Sequence, residues 1–247
     1  MYAPPLKPGQ TLDLKTDYGK YWPGQPVLFK LTEDWGFAIP PQYMQFWIQR
    51  DRVVRHPAPW SKIPLVESIG FEFFMPDFGG YTPDNYQDEF HEDKVELIEF
   101  AFVGMGEEQA GAPGSYPPNM FARVSAKRDR SFHPDEYQDR YGLRCYGYEP
   151  QLDIGSTQYC YGLRDSKTNE HILLKISPPP YPEWIIYPHM QAKYFSPRYG
   201  GVYVLWRAQM KHFPHWREID QQIWRFIEQW SIHPSSKLFQ PTHPSQQ

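Results

Sequence analysis

The stretch GVYVLWRAQMKHFPHWREIDQQIWRFIEQW, residues 201–230, decides the fold of this chain. Its first part, Gly201–Arg207, is rich in β-branched and aromatic residues and therefore predicts a strand. After Pro214, apolar residues recur at three- and four-residue spacing, which predicts an amphipathic helix that ends by Pro234. The predicted buried stripe consists of Trp216, Ile219, Ile223, Phe226 or Ile227, and Trp230. A stripe of this kind packs on a sheet and does not indicate a cofactor site.

The opposite side of this helix is polar and predicts a face that meets solvent. It comprises Arg217, Glu218, Gln221, Gln222, Arg225, Glu228 and Gln229. We expect Asp220 to point with these polar residues.

Short strand-like segments separated by turn residues make up most of the chain before the helix. The predicted strands are Thr11–Lys15, Val27–Leu31, Gln45–Arg50, Val66–Met75, Val95–Val103, Met120–Ser125, His171–Ile176, Trp184–Tyr187 and Gln191–Phe195. The segments that connect them are too short for parallel crossovers, so we expect antiparallel pairing. Thr82 and Pro83 predict a short helical turn, and Pro134–Asp139 predicts another. The predicted fold is α+β: a predominantly antiparallel β-sheet with short helical turns and one C-terminal amphipathic helix packed on the sheet.

The composition supports a β-rich domain with a sizeable core. The chain has 247 residues, of which 27 are proline, 40% are hydrophobic and 17% are aromatic. Prolines spread along the whole length argue against a helical bundle, because each removes a backbone donor and clashes inside a helix. The glycine- and proline-rich stretch 104–118 predicts a long loop or a seam between two halves. We expect an N-terminal β-rich half at 1–105, a C-terminal half of sheet and helix at 119–233, and a tail at 234–247.

The charge and hydropathy of the chain exclude two classes of partner. The formal net charge is −4, so no basic excess indicates nucleic acid. No stretch approaches eighteen consecutive apolar residues, so we expect no transmembrane segment. The N-terminal residues have neither a basic region nor an apolar core of the kind found in a signal peptide, which fits a cytoplasmic start or a mature chain whose leader has been removed.

The two cysteines have similar surroundings, YGLRCYGY for Cys145 and QYCYGLR for Cys160. Both segments predict short aromatic strands, and a hairpin would place them side by side, where a disulfide is sterically reasonable. Two buried free thiols are the alternative. A disulfide would favour an oxidising compartment.

No catalytic motif is visible in the sequence. His212 and His215 are three residues apart, but no HExxH pattern accompanies them, so we expect no metal site and no cofactor. A GxSxG nucleophile motif is absent, and Gly104, Gly106, Gly111 and Gly114 do not form a phosphate loop. One enzymatic alternative remains, a glycan hydrolase that uses Asp84 and Asp88 on an aromatic platform. A glycan-binding envelope module is a further alternative.

An acidic stretch with interleaved aromatic residues is the best candidate for a binding surface. The candidate contact residues lie in the segment 77–93 and in the loop 104–118: Asp77, Tyr81, Asp84, Tyr86, Asp88, Glu89, Glu107, Glu108 and Tyr116. Exposed aromatic side chains are enriched at interface hot spots, and charge complementarity sets rate and specificity. Ordinary solvated surface is the alternative interpretation of the same residues.

Two segments of the chain resemble a known group of bacterial proteins. MPDFGGYTPDNYQDEF at 75–90 and YGGVYVLWRAQMKHFPHWREIDQQIWRFIEQW at 199–230 are similar to segments of periplasmic immunity proteins paired with type VI secretion effectors. The resemblance implies a mature, leaderless chain in a disulfide-permissive compartment. It also implies a function: binding one cognate effector toxin and blocking its active site or its opening.

Overall fold

A computed structural model describes residues 26–44, 54–55, 58–82, 85, 91–104, 137–146, 158–168, 170–177, 189–236 and 239. Within these ranges the strands are β1 (Val27–Lys30), β2 (Gly36–Ile39), β3 (Val54–Arg55), β4 (Ser68–Phe74), β5 (Lys94–Phe102), β6 (Tyr137–Arg140), β7 (Leu143–Tyr146), β8 (Gln158–Asp165), β9 (Glu170–Ser177), β10 (His189–Ser196), β11 (Val202–Gln209) and β12 (Ser231–Ile232). The helix α1 spans Trp216–Trp230, directly after a 3-10 turn at Met210–His215. The antiparallel strand pairs and the C-terminal helix confirm the predicted α+β fold.

The chain forms two compact units. The first comprises residues 1–91 and 222–247, and the second comprises residues 92–221. The boundary that the sequence predicts, between 105 and 119, falls outside the described residues, so that division stays a prediction.

The first unit contains a small sheet in the order β12-β2-β1-β3. Its core is built largely from aromatic side chains. The ring of Phe226 is stacked on that of Trp230 at 4.4 Å between centroids, and the ring of Phe71 meets Trp230 edge-on at 5.1 Å. The ring of Tyr43 packs against the rings of both Phe226 and Trp230. Aromatic pairs in these geometries stabilise a core beyond their buried area.

The strands of the second unit are hydrogen-bonded in the order β5-β11-β10-β9-β8-β7-β6. Every described pair in this series is antiparallel. Burial alternates along β11, where Val204 and Trp206 are fully buried and Arg207 is exposed. This alternation gives the sheet a buried inner face and an outer face that meets solvent.

The helix α1 follows the predicted pattern except at one residue. Every member of the predicted apolar stripe is buried, and the predicted polar face is exposed or partly exposed. Asp220, which we expected on the polar face, is instead buried, so that expectation is wrong. The helix ends at Trp230, four residues before Pro234, and β12 follows at once.

The prediction of a helical turn at Pro134–Asp139 is also wrong for its described part. Tyr137–Arg140 is the strand β6, paired with β7 through a two-residue turn at Tyr141 and Gly142. Both turn residues have positive φ, 51° and 77°, which is the backbone that suits the twist of a hairpin. Gly142 fits this position because it has no Cβ. The predicted strands Thr11–Lys15, Gln45–Arg50, Met120–Ser125 and Trp184–Tyr187 lie outside the described residues.

Candidate functional site

Two of the predicted contact residues lie in the described part of the segment 77–93, and they differ in exposure. Asp77 is exposed, and its carboxylate accepts a hydrogen bond from the Gly79 backbone N–H at 3.1 Å. Tyr81 is buried, with its ring edge-on to Phe74 at 5.0 Å. Asp77 therefore shapes the turn that follows β4, and the ring of Tyr81 belongs to the core of the first unit.

The other predicted contact residues lie outside the described residues: Asp84, Tyr86, Asp88, Glu89, Glu107, Glu108 and Tyr116. Their assignment to a binding surface stays a prediction.

The C-terminal end of the acidic stretch is paired with a cation of the same unit. The ammonium group of Lys211 lies 3.1 Å from the carboxylate of Glu92 and 2.6 Å from that of Asp93. These pairs are partly exposed, so each contributes little to stability. They nevertheless neutralise part of the negative charge that the sequence places here.

The histidine pair beside the helix does not form part of a metal-binding cluster in the described residues. His212 is buried, with its Nε2 atom 3.1 Å from the Glu92 carbonyl oxygen, and exposed His215 pairs with Glu218. Burial lowers the pKa of His212, and the neighbouring Lys211 lowers it further. Within the described ranges, no group of three or more His, Cys, Asp or Glu residues could hold a metal ion.

The predicted disulfide is confirmed. Cys145 on β7 and Cys160 on β8 face each other in register and are bonded. Both residues are buried on the inner face of the sheet. The bridge therefore fixes two neighbouring strands of the second unit, and it fits an oxidising compartment.

A buried charge network joins the sheet of the second unit to the start of α1. The Arg164 guanidinium on β8 donates to the Asp220 carboxylate at 2.9 Å and to the Glu170 carboxylate on β9. All three side chains are at most 5% exposed. Burial alone would lower the pKa of Arg164, but the negative charges around it raise that pKa above its usual value. The guanidinium therefore stays charged inside the protein.

Asp220 also accepts hydrogen bonds from two buried aromatic side chains. The Tyr194 hydroxyl donates to its Oδ1 atom at 2.5 Å, and the Trp206 indole N–H donates to the same atom at 3.2 Å. Three donors thus surround one buried carboxylate. The helical periodicity could not reveal this site, because Arg164, Tyr194 and Trp206 come from three separate strands.

The outer face of the sheet presents a second group of residues that the sequence did not bring together. Across β8, β9, β10 and β11, its charged side chains are Lys175, Lys193 and Arg207, all exposed. The other residues of these four strands on this face are Tyr159, Tyr161, Leu163, His171, Leu173, His189, Gln191, Phe195, Tyr203, Leu205 and Gln209. We call this surface the outer face. It carries no carboxylate within the described part of these four strands.

Comparison with known proteins yields a likeness of fold. No known family model matches the chain, and no curated protein sequence matches it. The chain is similar in structure to Smlt3025, an immunity protein of the Stenotrophomonas maltophilia type IV secretion system. The TM-score is 0.51 at 12% sequence identity, and the match covers 84% of this chain and 94% of Smlt3025. At this identity the likeness shows the fold alone.

The described charged groups of the second unit are divided between a buried cluster and an exposed face. Among the described residues, no helix is both long enough and apolar enough to cross a membrane. The ions around Asp220 are buried between the sheet and the start of the helix. The exposed cations and half-buried rings of the outer face are the chemically distinctive surface of the second unit.

Proposed function

We propose that this protein is an immunity protein that binds a cognate secreted antibacterial effector and blocks the effector's active site or its opening. The observation that carries the proposal is the similarity to Smlt3025 along 84% of this chain. The sequence resemblance of the segments 75–90 and 199–230 to immunity proteins supports it independently. The two lines of support rest on different properties, backbone geometry and sequence.

The proposed mechanism is stoichiometric and requires no chemistry from this chain. A blocking protein needs a scaffold that keeps its shape when it meets its target, because ordering a loose surface on binding costs affinity. The buried Arg164–Asp220 pair and the bridge between Cys145 and Cys160 hold the strands of the second unit in one arrangement. Binding surfaces on such a scaffold lose little entropy when the effector docks.

We propose a periplasmic location. The bonded cysteines fit that compartment, because disulfides persist there and are rare in the cytosol. For the delivery system, the sequence resemblance favours a type VI effector, whereas Smlt3025 belongs to a type IV system. We therefore propose type VI pairing for this chain, and the gene beside it tests that choice.

The predicted acidic residues remain proposed effector contacts in this account. The segment 77–93 and the loop 104–118 would supply carboxylates and tyrosines at the rim of the interface. Asp77 is the member of this set whose exposed position in the structure is compatible with that role. The buried ring of Tyr81 would act only through the shape of the turn.

A protection experiment tests the proposal. An effector identified among the neighbouring genes is exported to the periplasm of a sensitive strain, with this chain either exported or kept in the cytoplasm. We expect the exported chain to restore growth and the cytoplasmic chain to fail. Killing that continues despite the folded, exported chain contradicts the proposal. Turnover or binding of cell-wall glycan by the purified chain, with no effect on the effector, would instead favour a glycan hydrolase or a glycan-binding module.

A further inference from the structure

The outer face defined above concentrates positive charge on an acidic chain. Lys175 lies on β9, Lys193 on β10 and Arg207 on β11. The strand register makes Lys175 a diagonal neighbour of Lys193, because Lys175 faces Gln191 and Lys193 faces Leu173. Arg207 is likewise diagonal to Lys193. Diagonal neighbours on one face of a sheet lie about 7–8 Å apart, so the three cations form one continuous stripe.

Carboxylates that would balance this stripe lie only at its sides. On the β5 side, Glu96 pairs with Lys94 at 2.9 Å and balances Arg207, and Glu99 lies opposite Leu205. On the β6 side, Asp139 pairs with Arg144 at 3.4 Å. Among the described residues, no carboxylate lies within ion-pair distance of Lys175 or Lys193. The net charge of the whole chain is −4, so this local excess of cations is not a consequence of composition.

Neither lysine of the stripe has an ion pair within the described residues. The two ammonium groups are diagonal neighbours on one face, so together they raise the positive potential there. Burial lowers the pKa of the neighbouring His189, the charges of Arg207 and Lys175 lower it further, and the negative charge of Glu96 opposes them. Two exposed lysines without a carboxylate partner among the described residues leave a local positive surface that can steer an acidic partner.

Tyrosine rings lie beside these cations on the same face. The ammonium group of Lys193 lies over the Tyr203 ring, 5.5 Å from its centroid. Burial, followed by the negative charge of Glu99, raises the pKa of Tyr203 to about 12, so its hydroxyl remains a hydrogen-bond donor. Tyr161 is stacked flat on His171 at 5.1 Å. Tyrosine and arginine are enriched at protein interfaces, where charge complementarity steers association.

We infer that the outer face of β8–β11 is the surface that receives an acidic patch of the effector. This inference rests on the proposed function and adds to it the location and the charge of the partner surface. A folded protein fits better than a nucleic acid, because leucines flank Lys193 on both neighbouring strands and the chain as a whole is acidic. The occupant is therefore an acidic protein surface, with Lys175 and Lys193 facing its carboxylates and Arg207 held beside them by Glu96.

A pair of charge-reversal variants tests this inference with the effector encoded beside this chain as the probe. Lys175→Glu/Lys193→Glu changes the stripe. Lys62→Glu/Lys167→Glu changes the net charge equally at two exposed lysines outside the stripe. Binding rates are measured by surface plasmon resonance at low and high salt. We expect the stripe variant to raise the Kd about a hundredfold, through both slower association and faster dissociation. The Kd of the control variant should stay within about threefold of the wild-type value.

The possible outcomes distinguish a failure of the proposed function from a failure of the inference about the outer face. If the wild-type chain does not bind the effector, the proposed function fails. If the wild-type chain and the stripe variant bind equally well, the function stands and the inference about the outer face is overturned. Binding of duplex DNA by the wild-type chain that the stripe variant loses would overturn it in favour of a general polyanion site. A fall of more than about 5 °C in the melting temperature of the free stripe variant would also overturn it, because the cations would then serve the fold itself.

Discussion

Asp220 gives the sharpest prediction about stability, because three donors converge on its buried carboxylate. The substitution Asp220→Asn keeps the size of the side chain and removes its charge. One amide oxygen can still accept from Tyr194 and Trp206, but the amide N–H₂ group replaces the oxygen that faces Arg164. Two donors then meet where a donor and an acceptor met before.

The expected cost follows from the burial of the pair. Removing one partner of a buried ion pair typically costs about 3–5 kcal/mol. Arg164 keeps its contact with Glu170, so we expect the lower end of that range, about 3 kcal/mol. Asp220→Leu also removes the acceptor that Asp220 provides for Tyr194 and Trp206, at about 1–3 kcal/mol each. That variant should lose a large part of the total stability, which for a typical domain is about 5–15 kcal/mol.

Urea unfolding followed by tryptophan fluorescence measures these costs. With a urea m-value of about 3 kcal/mol/M, Asp220→Asn should lower the midpoint by about 1 M. Glu218→Gln is the matched control, because it removes an exposed carboxylate from the same helix and should change the free energy of unfolding by less than about 0.5 kcal/mol. In a cycle with Arg164→Met, the double variant should cost at least about 1 kcal/mol less than the two single costs added together.

Two results would contradict a stabilising role for the buried Arg164–Asp220 pair. One is an Asp220→Asn variant whose free energy of unfolding stays within about 0.5 kcal/mol of wild type. The other is strict additivity in the Arg164 cycle, since residues that share a buried ion pair must show a coupling energy.

Three further predictions concern other parts of the molecule. Cys145→Ser/Cys160→Ser should lower the free energy of unfolding by about 3 kcal/mol, the loop-closure value for a bridge that spans 15 residues, and denaturant titration checks it; a loss below about 1 kcal/mol would contradict the bonded pair. Gly201→Ala should cost about 2–3 kcal/mol in the same assay, because φ is 112° and a Cβ would lie 2.7 Å from the Gly104 carbonyl oxygen; the control Gly104→Ala, where φ is 75° and a Cβ meets no described atom within 4 Å, should cost only about 1 kcal/mol, and equal costs would refute the steric argument. The lowered pKa of His212 means that the unfolded chain takes up a proton at a pH where the folded chain does not. The contribution of neutral His212 to stability is therefore complete above about pH 6.5 and is lost as the pH falls through the lower folded-state pKa. In thermal melts between pH 7 and pH 5, the melting temperature of His212→Gln should fall less with decreasing pH than that of wild type, and equal falls would contradict this prediction.

Local sequence patterns predicted the strands and the helix that have a clear hydrophobic period or clear boundary residues. The strands Ser68–Phe74, Lys94–Phe102 and Val202–Gln209 lie within two residues of their predicted bounds. The apolar period of Trp216–Trp230 predicted both the helix and its buried stripe. The similar surroundings of the two cysteines predicted neighbouring strands and a bond between them.

Features that depend on distant partners were beyond such patterns. Pro134 suggested a helical start, but the hairpin turn at Tyr141 and Gly142 aligns Tyr137–Arg140 with β7 and makes it a strand. The helical periodicity places Asp220 on the polar face of the helix. Its burial depends on three donors from β8, β10 and β11, which the periodicity does not reveal. The short strand Gly36–Ile39 was missed because four residues offer too little alternation to recognise.

The cationic outer face illustrates the same limit for function. Lys175, Lys193 and Arg207 are unremarkable when taken singly, because lysine and arginine are common on the exposed side of strands. Only the register of three consecutive strands reveals that they are diagonal neighbours. The acidic residues of the segment 77–93, by contrast, are recognisable from the sequence because they lie close together along the chain.

Calorimetric titration of this chain into the proposed cognate effector tests whether this protein neutralises a toxin by binding it. We expect a saturable complex with a Kd below about 1 μM at physiological salt, and loss of the effector's toxic activity at the stoichiometric point. Both proteins must be folded, as shown by circular dichroism and melting curves. No heat of binding at tens of micromolar, or a tight complex in which the effector stays fully active, would contradict the claim that this protein neutralises a toxin by blocking it.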